Sequence, residues 1–121
     1  MKRISAAIVL LVFLCFFTAS CTSPSELYGA WYVDEGNTRN AIQFSENVDG
    51  KDVFVWVIYD IKEDKIQSTN TGYYKISNDL LIFEFGQGAD PLQLNFTLEG
   101  DKLSISSETA VMTLTKYVLD E

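Results

Sequence analysis

The 121-residue sequence contains no histidine. That removes the most common general base, the His-dependent triads and dyads, and the commonest zinc ligand. Cysteine is nearly absent too. Cys15 and Cys21 are the two in the chain, and neither lies beyond residue 21. The remainder therefore offers no disulfide and no thiol nucleophile. Basic residues are scarce, with Lys+Arg 9 against Asp+Glu 17 and a net charge of -8. Such an acidic chain has little to offer a phosphate backbone, so nucleic acid is excluded as a partner. No stretch of ten or more residues carries a convincing 3.6-residue apolar period, which argues against a helical domain. What is present is 47% hydrophobic residues on a length sufficient for one domain. That content is too high for a disordered chain.

The apolar residues concentrate first at the N-terminus. Lys2 and Arg3 precede an unbroken apolar run from Ala6 to Phe17, and small residues follow. A charged start, a short apolar core and a small-residue exit predict a secretory signal peptide over residues 1–20. The run is short of the roughly 20 residues that span a bilayer permanently. The exit, Thr18-Ala19-Ser20-Cys21, resembles the lipobox of bacterial lipoproteins, with Thr18 in place of the usual aliphatic residue. The resemblance implies lipidation of Cys21, cleavage just before it, a tether over 21–25 and a folded domain over 26–121. Acyl chains on Cys21 would supply the membrane contact. Thr22 stands where Asp would signal inner-membrane retention, so the implied address is the cell envelope, at the outer membrane where the cell has one. All 17 acids lie after residue 21 and two of the 9 bases before it, which takes the mature charge to -10. This favours solubility and disfavours anionic lipid.

The rest consists of short runs rich in Val, Ile, Phe, Tyr and Thr, punctuated by Asn, Asp and Gly. That pattern predicts strands and tight turns. Eight strands are expected, over 27–33, 41–45, 52–60, 72–77 (with a possible start near 65), 80–85, 92–99, 102–106 and 111–118. Asp49-Gly50, Asn78-Asp79 and Gly100-Asp101 mark turns, Asp-Gly being a favoured two-residue hairpin pair. Leu92, Leu94, Phe96 and Leu98 alternate with Gln93, Asn95, Thr97 and Glu99, as in a half-buried antiparallel strand. A meander of this kind must close or fold into two sheets to bury its apolar face. The fold class is all-β, an eight-stranded antiparallel meander barrel.

One segment departs from alternation. Val53, Val55, Val57 and Tyr59 share one face and Phe54, Trp56 and Ile58 the other, so both are apolar. One face belongs to the core, and the other needs cover from this chain, a ligand or a partner. Phe54, Trp56, Tyr59 and Tyr74 are the candidate contact residues, tyrosine adding a polar tip to apolar area.

Other motifs carry less. Asp34, Glu35, Asp60, Glu63, Asp64 and Glu84 fall mostly at turns or strand ends and read as solvated charge, so no catalytic residue is assigned and the chain reads as a non-enzyme. Asn47-Val48-Asp49-Gly50-Lys51-Asp52 looks like part of a calcium loop, but Trp56 takes the place of the closing acid. A hairpin turn explains it better, and no metal or cofactor is implied.

The ordered set Leu27-x-Gly29-x-Trp31, Gly72-x-Tyr74-x-Ile76, Leu80-x-Ile82, Gly100-Asp101-x-Leu103-x-Ile105 and Leu114-Thr115-Lys116 resembles small lipocalin-like domains of bacterial lipoproteins. That resemblance implies an up-and-down barrel with Trp31 closing its base. The C-terminal helix usual in lipocalins is missing. Two functions stay open. One is binding of a small apolar or amphipathic ligand in the barrel mouth. The other is a protein-interaction module of the envelope, an inhibitor or assembly subunit, using an outer apolar strip. An inward Trp56 beside a void would favour the first; an outward Phe54/Trp56 patch would favour the second.

Overall fold

A computed structural model of the protein describes residues 22–86 and 88–118. The expected signal peptide over residues 1–20 and the expected lipidation site Cys21 lie outside the described residues. Eight antiparallel strands close into one barrel in sequence order: β1 (Gly29–Glu35), β2 (Thr38–Glu46), β3 (Asp52–Asp60), β4 (Lys65–Ser77), β5 (Leu80–Glu84), β6 (Leu92–Glu99), β7 (Lys102–Ser106) and β8 (Val111–Lys116). The all-β meander expected from alternation is the observed fold. β1 meets β8 through Trp31↔Lys116 and Tyr32↔Thr115, with the Tyr117 amide donating to the Ala30 carbonyl at 2.8 Å. This short seam removes the last free edge.

The strand boundaries differ from expectation in instructive ways. The first strand begins at Gly29, because Pro24–Leu27 form a 3₁₀ turn. Pro24 suits the first turn of such an element, and the Glu26 carboxylate accepts the Ser23 amide at 3.1 Å. Leu27 is thereby turned inward and fully buried. β2 extends back to Thr38 through polar residues, joined to β1 by a two-residue turn at Gly36-Asn37. Gly36 sits at φ 63, which such turns demand. Asp49-Gly50 belongs to a longer loop over 47–51, where the Asn47 side-chain oxygen accepts the amides of Asp49 and Lys51 at 3.0 and 2.9 Å. This loop is a side-chain-stapled turn.

Inward-facing residues fill the barrel unevenly. The half beside the 3₁₀ turn holds Trp31, Phe44, Phe54, Tyr74 and Phe83, each nearly or fully buried. Phe44 meets Tyr74 and Phe54 meets Phe83 edge-on, each at 4.7 Å between ring centroids. Edge-to-face packing of this kind is favourable beyond the area buried. Two aromatic donors latch the 3₁₀ turn as a plug. The Trp31 indole N–H donates to the Leu27 carbonyl at 2.8 Å, and the Tyr74 hydroxyl to the Pro24 carbonyl at 2.8 Å. Trp31 thus closes the base.

The doubly apolar strands resolve by register. Phe54 and Trp56 point into the barrel, opposite Phe44 and Ile42 on β2. Val53, Val55, Val57 and Tyr59 face outward and stay partly exposed. The expected contact patch around Phe54 and Trp56 is therefore interior, and the outer apolar row is the valine side. On β5, outward Ile82 is 8% exposed and is flanked in register by Lys75 and Gln93.

Gly72 explains its place in the Gly-x-Tyr spacing. It pairs with Phe54, whose Cε1 would lie 3.2 Å from an added Cβ, and that Cβ would also overlap the Glu84 carbonyl. Overpacking of this kind typically costs 1–3 kcal/mol. Gly72→Ala should destabilise the barrel by about 2 kcal/mol or more in denaturant unfolding. A change below a few tenths would refute the close approach.

Candidate functional site

The other half of the barrel is less filled. A pocket of about 370 Å³ opens there, lined by Trp56 with Leu92, Leu94, Ile105, Val111 and Met112, and at its rim by Glu35, Ser106, Ser107 and Ala110. Its size is that of a small-molecule site, and its lining is mainly apolar with few polar groups. The sequence builds it from strand ends. Leu92 starts β6, Ser106 ends β7, Val111 starts β8 and Glu35 ends β1, so all converge at the end opposite the plug. Ser107–Ala110 is a four-residue turn closed by the Ser107 amide on the Ala110 carbonyl at 2.9 Å.

Trp56 is fixed on two sides. Its indole N–H donates to the Asn40 side-chain oxygen at 3.0 Å, and its ring lies 5.4 Å from that of Phe83. The indole thus forms part of the pocket wall with its one polar atom already satisfied. Asn40 also marks a polar sector. By register Thr38, Asn40, Ser68 and Asn70 share the inward face of β2 and β4, across from the apolar wall of β6 to β8.

The rim charge is arranged with one carboxylate satisfied and one open. On the outer face Arg39 donates to both Asp34 carboxylate oxygens, at 2.6 and 2.9 Å, with its guanidinium 5.0 Å above the Tyr32 ring. That bond holds the Asp34 carboxyl below its ordinary range. Glu35 is exposed at the strand end, and among the described residues no Lys or Arg lies within ion-pair distance of it.

The candidate residues therefore separate. Trp56 lines the pocket. Phe54 is 1% exposed and belongs to the packed core. Tyr59 lies on the outer face, half-buried. Tyr74 lies at the plugged end, where it borders a shallower depression with Gly50, Lys51, Asp52, Tyr73 and Glu84. Sequence reasoning missed Glu35 and the apolar wall from β6 to β8. Alternation marks Leu92, Leu94, Ile105 and Met112 as inward, but nothing local tells a filled barrel level from an empty one. Asp52, which lines the depression at the plugged end, accepts the Tyr28 phenol at Oδ1 at 2.5 Å.

The barrel is similar to one in the NMR structure of a protein from Bacteroides thetaiotaomicron VPI-5482, at 19% identity and TM-score 0.60, over 79% of this chain and 93% of that one. The likeness is one of fold. A scan against protein-family models and a search of curated proteins give no match.

The Tyr28 contact yields a titration. Hydrogen bonding to the Asp52 carboxylate, then desolvation, raises the Tyr28 phenol from 10.0 to about 12. A raised folded value means that the associated stability is full below pH 10.0 and is lost as pH climbs through about 12. Burial pushes Tyr74 upward as well. In Asp52→Asn the Tyr28 step should move back toward the ordinary phenol range in a tyrosinate absorbance titration. An unmoved step would refute the hydrogen bond as cause.

Proposed function

We propose that the protein is a non-catalytic binding barrel of the bacterial cell envelope, taking a small apolar or amphipathic ligand in its mouth. The observation that carries this is the inward Trp56 beside an apolar pocket of about 370 Å³. A well-formed apolar concavity with a few convergent polar groups is the usual form of a ligand site. The interior of an eight-stranded barrel is wide enough for one small ligand where side chains do not fill it. The envelope part of the reading rests on the lipobox-like Thr18-Ala19-Ser20-Cys21 and the apolar run before it. In this reading acyl chains on Cys21 hold the barrel to a membrane, the outer one where the cell has one.

A second reading has its own observation. The outer row Val53, Val55, Val57 and Tyr59 is partly exposed, with Ala41, Ile66 and Tyr73 extending it in register and Gln43, Ser45, Thr69 and Thr71 at its edges, giving a narrow apolar strip. Such a strip suits a protein-interaction module.

Native mass spectrometry of the purified domain from Thr22, after incubation with envelope extract, separates the two. The expected outcome is a monomer with a reproducible extra mass, lost in Ala110→Trp, where an indole at the exposed rim obstructs the mouth. A bare dimer would assign the protein to association through the outer strip. An extra mass that survives Ala110→Trp would place the ligand elsewhere.

A further inference from the structure

The pocket is apolar but its rim is not neutral. Glu35 is an ionisable group among the lining residues, and no lysine or arginine joins it there. Its neighbour Asp34 is neutralised by a bidentate Arg39 on the outer face, so the nearest guanidinium is already committed. Glu35 carries no such partner among the described residues. The remaining polar lining is two serines, Ser106 and Ser107, which bring hydroxyls and no charge. The Trp56 indole N–H is satisfied by Asn40 and is not free to meet a head group.

From this arrangement we infer that the ligand is a cationic amphipath, an aliphatic amine in chemical class, whose chain lies against Trp56, Leu94, Ile105 and Met112 while its ammonium sits at the rim beside Glu35. The inference rests on the pocket reading and sharpens it. A carboxylate-headed ligand in the same pose would set a second negative charge beside an unpaired one, with no lysine or arginine among the lining residues to receive it. Opposite charges at an exposed rim attract by an amount that corresponds to about three-fold in affinity. Like charges at the same distance repel to a similar degree. The charge of -10 on the chain beyond residue 21 acts in the same direction but more weakly, because salt screens distant exposed charges. A neutral head group falls between the two.

The test uses octylamine, octanol and octanoate, one chain with three heads, added to the domain from Thr22. That domain includes all eight strands of the closed barrel. Binding is followed by NMR at the Trp56 indole N–H and the Met112 methyl, with Trp31 as the internal reference at the plugged end. Octylamine should shift Trp56 and Met112 and bind about ten-fold tighter than octanoate at low salt. In Glu35→Gln that ratio should fall toward one. In Glu99→Gln, which removes the same charge at the opposite end of the barrel, the ratio should hold. Octanoate binding as tightly as octylamine would overturn the charge assignment and leave the pocket standing. An equal loss in both variants would overturn the role of Glu35 in favour of net charge. No shift with any probe would remove the pocket reading and this inference together.

Discussion

The structure depends on where its aromatic volume sits. An eight-stranded barrel has an interior of fixed width, and side chains must fill it or leave space. Here Trp31, Phe44, Phe54, Tyr74 and Phe83 crowd one half, with Leu27 folded in as a stopper. Each such side chain contributes about 1.5–3 kcal/mol on burial, so that half supplies much of the driving force for closure. The other half receives Trp56 and aliphatic residues, and it has room left over. Stability and an empty mouth are thus divided between the two ends, and neither compromises the other.

Several features protect that division. Gly72 lets the Phe54 ring settle against bare backbone where a methyl would push β4 from β5. Gly29 adopts φ 126 under the Lys116 side chain, and the Lys116 ammonium lies 5.6 Å from the Trp31 ring centre. The β1–β8 seam is short in paired residues yet anchored beside the best-packed part of the core. The described residues bury no polar or charged residue and leave no buried side-chain polar atom unpartnered. A core without such costs tolerates a void elsewhere.

The meander was legible because alternation was clean where it mattered, in Leu92, Leu94, Phe96 and Leu98 and again in Leu103 and Ile105. Closure followed from eight half-apolar strands with nothing else in the chain to cover them. The polar start of β2 was not legible, since Thr38, Arg39 and Asn40 carry no apolar period. The faces of β3 were ambiguous for a physical reason: both are apolar, and only the register with β2 decides that Phe54 and Trp56 go inside. Of the candidate contacts, Trp56 reached the pocket, while Phe54 and Tyr74 sit at a level already full. Whether a level is full depends on six or more strands at once, and no single segment records that.

The plug and the mouth lie at opposite ends of the same axis, and the chain enters at the plug. Ser23 and Pro24 already belong to that base, through the Glu26 contact and the Tyr74 hydroxyl. Thr22 alone separates them from Cys21. An acyl anchor on Cys21 would therefore hold the sealed end down against the bilayer with almost no slack. The open end would look outward into the aqueous compartment. Cargo would then arrive and leave from the far side of the molecule, exchanged with the surrounding fluid or a facing surface, with no lateral path from the leaflet that holds the barrel.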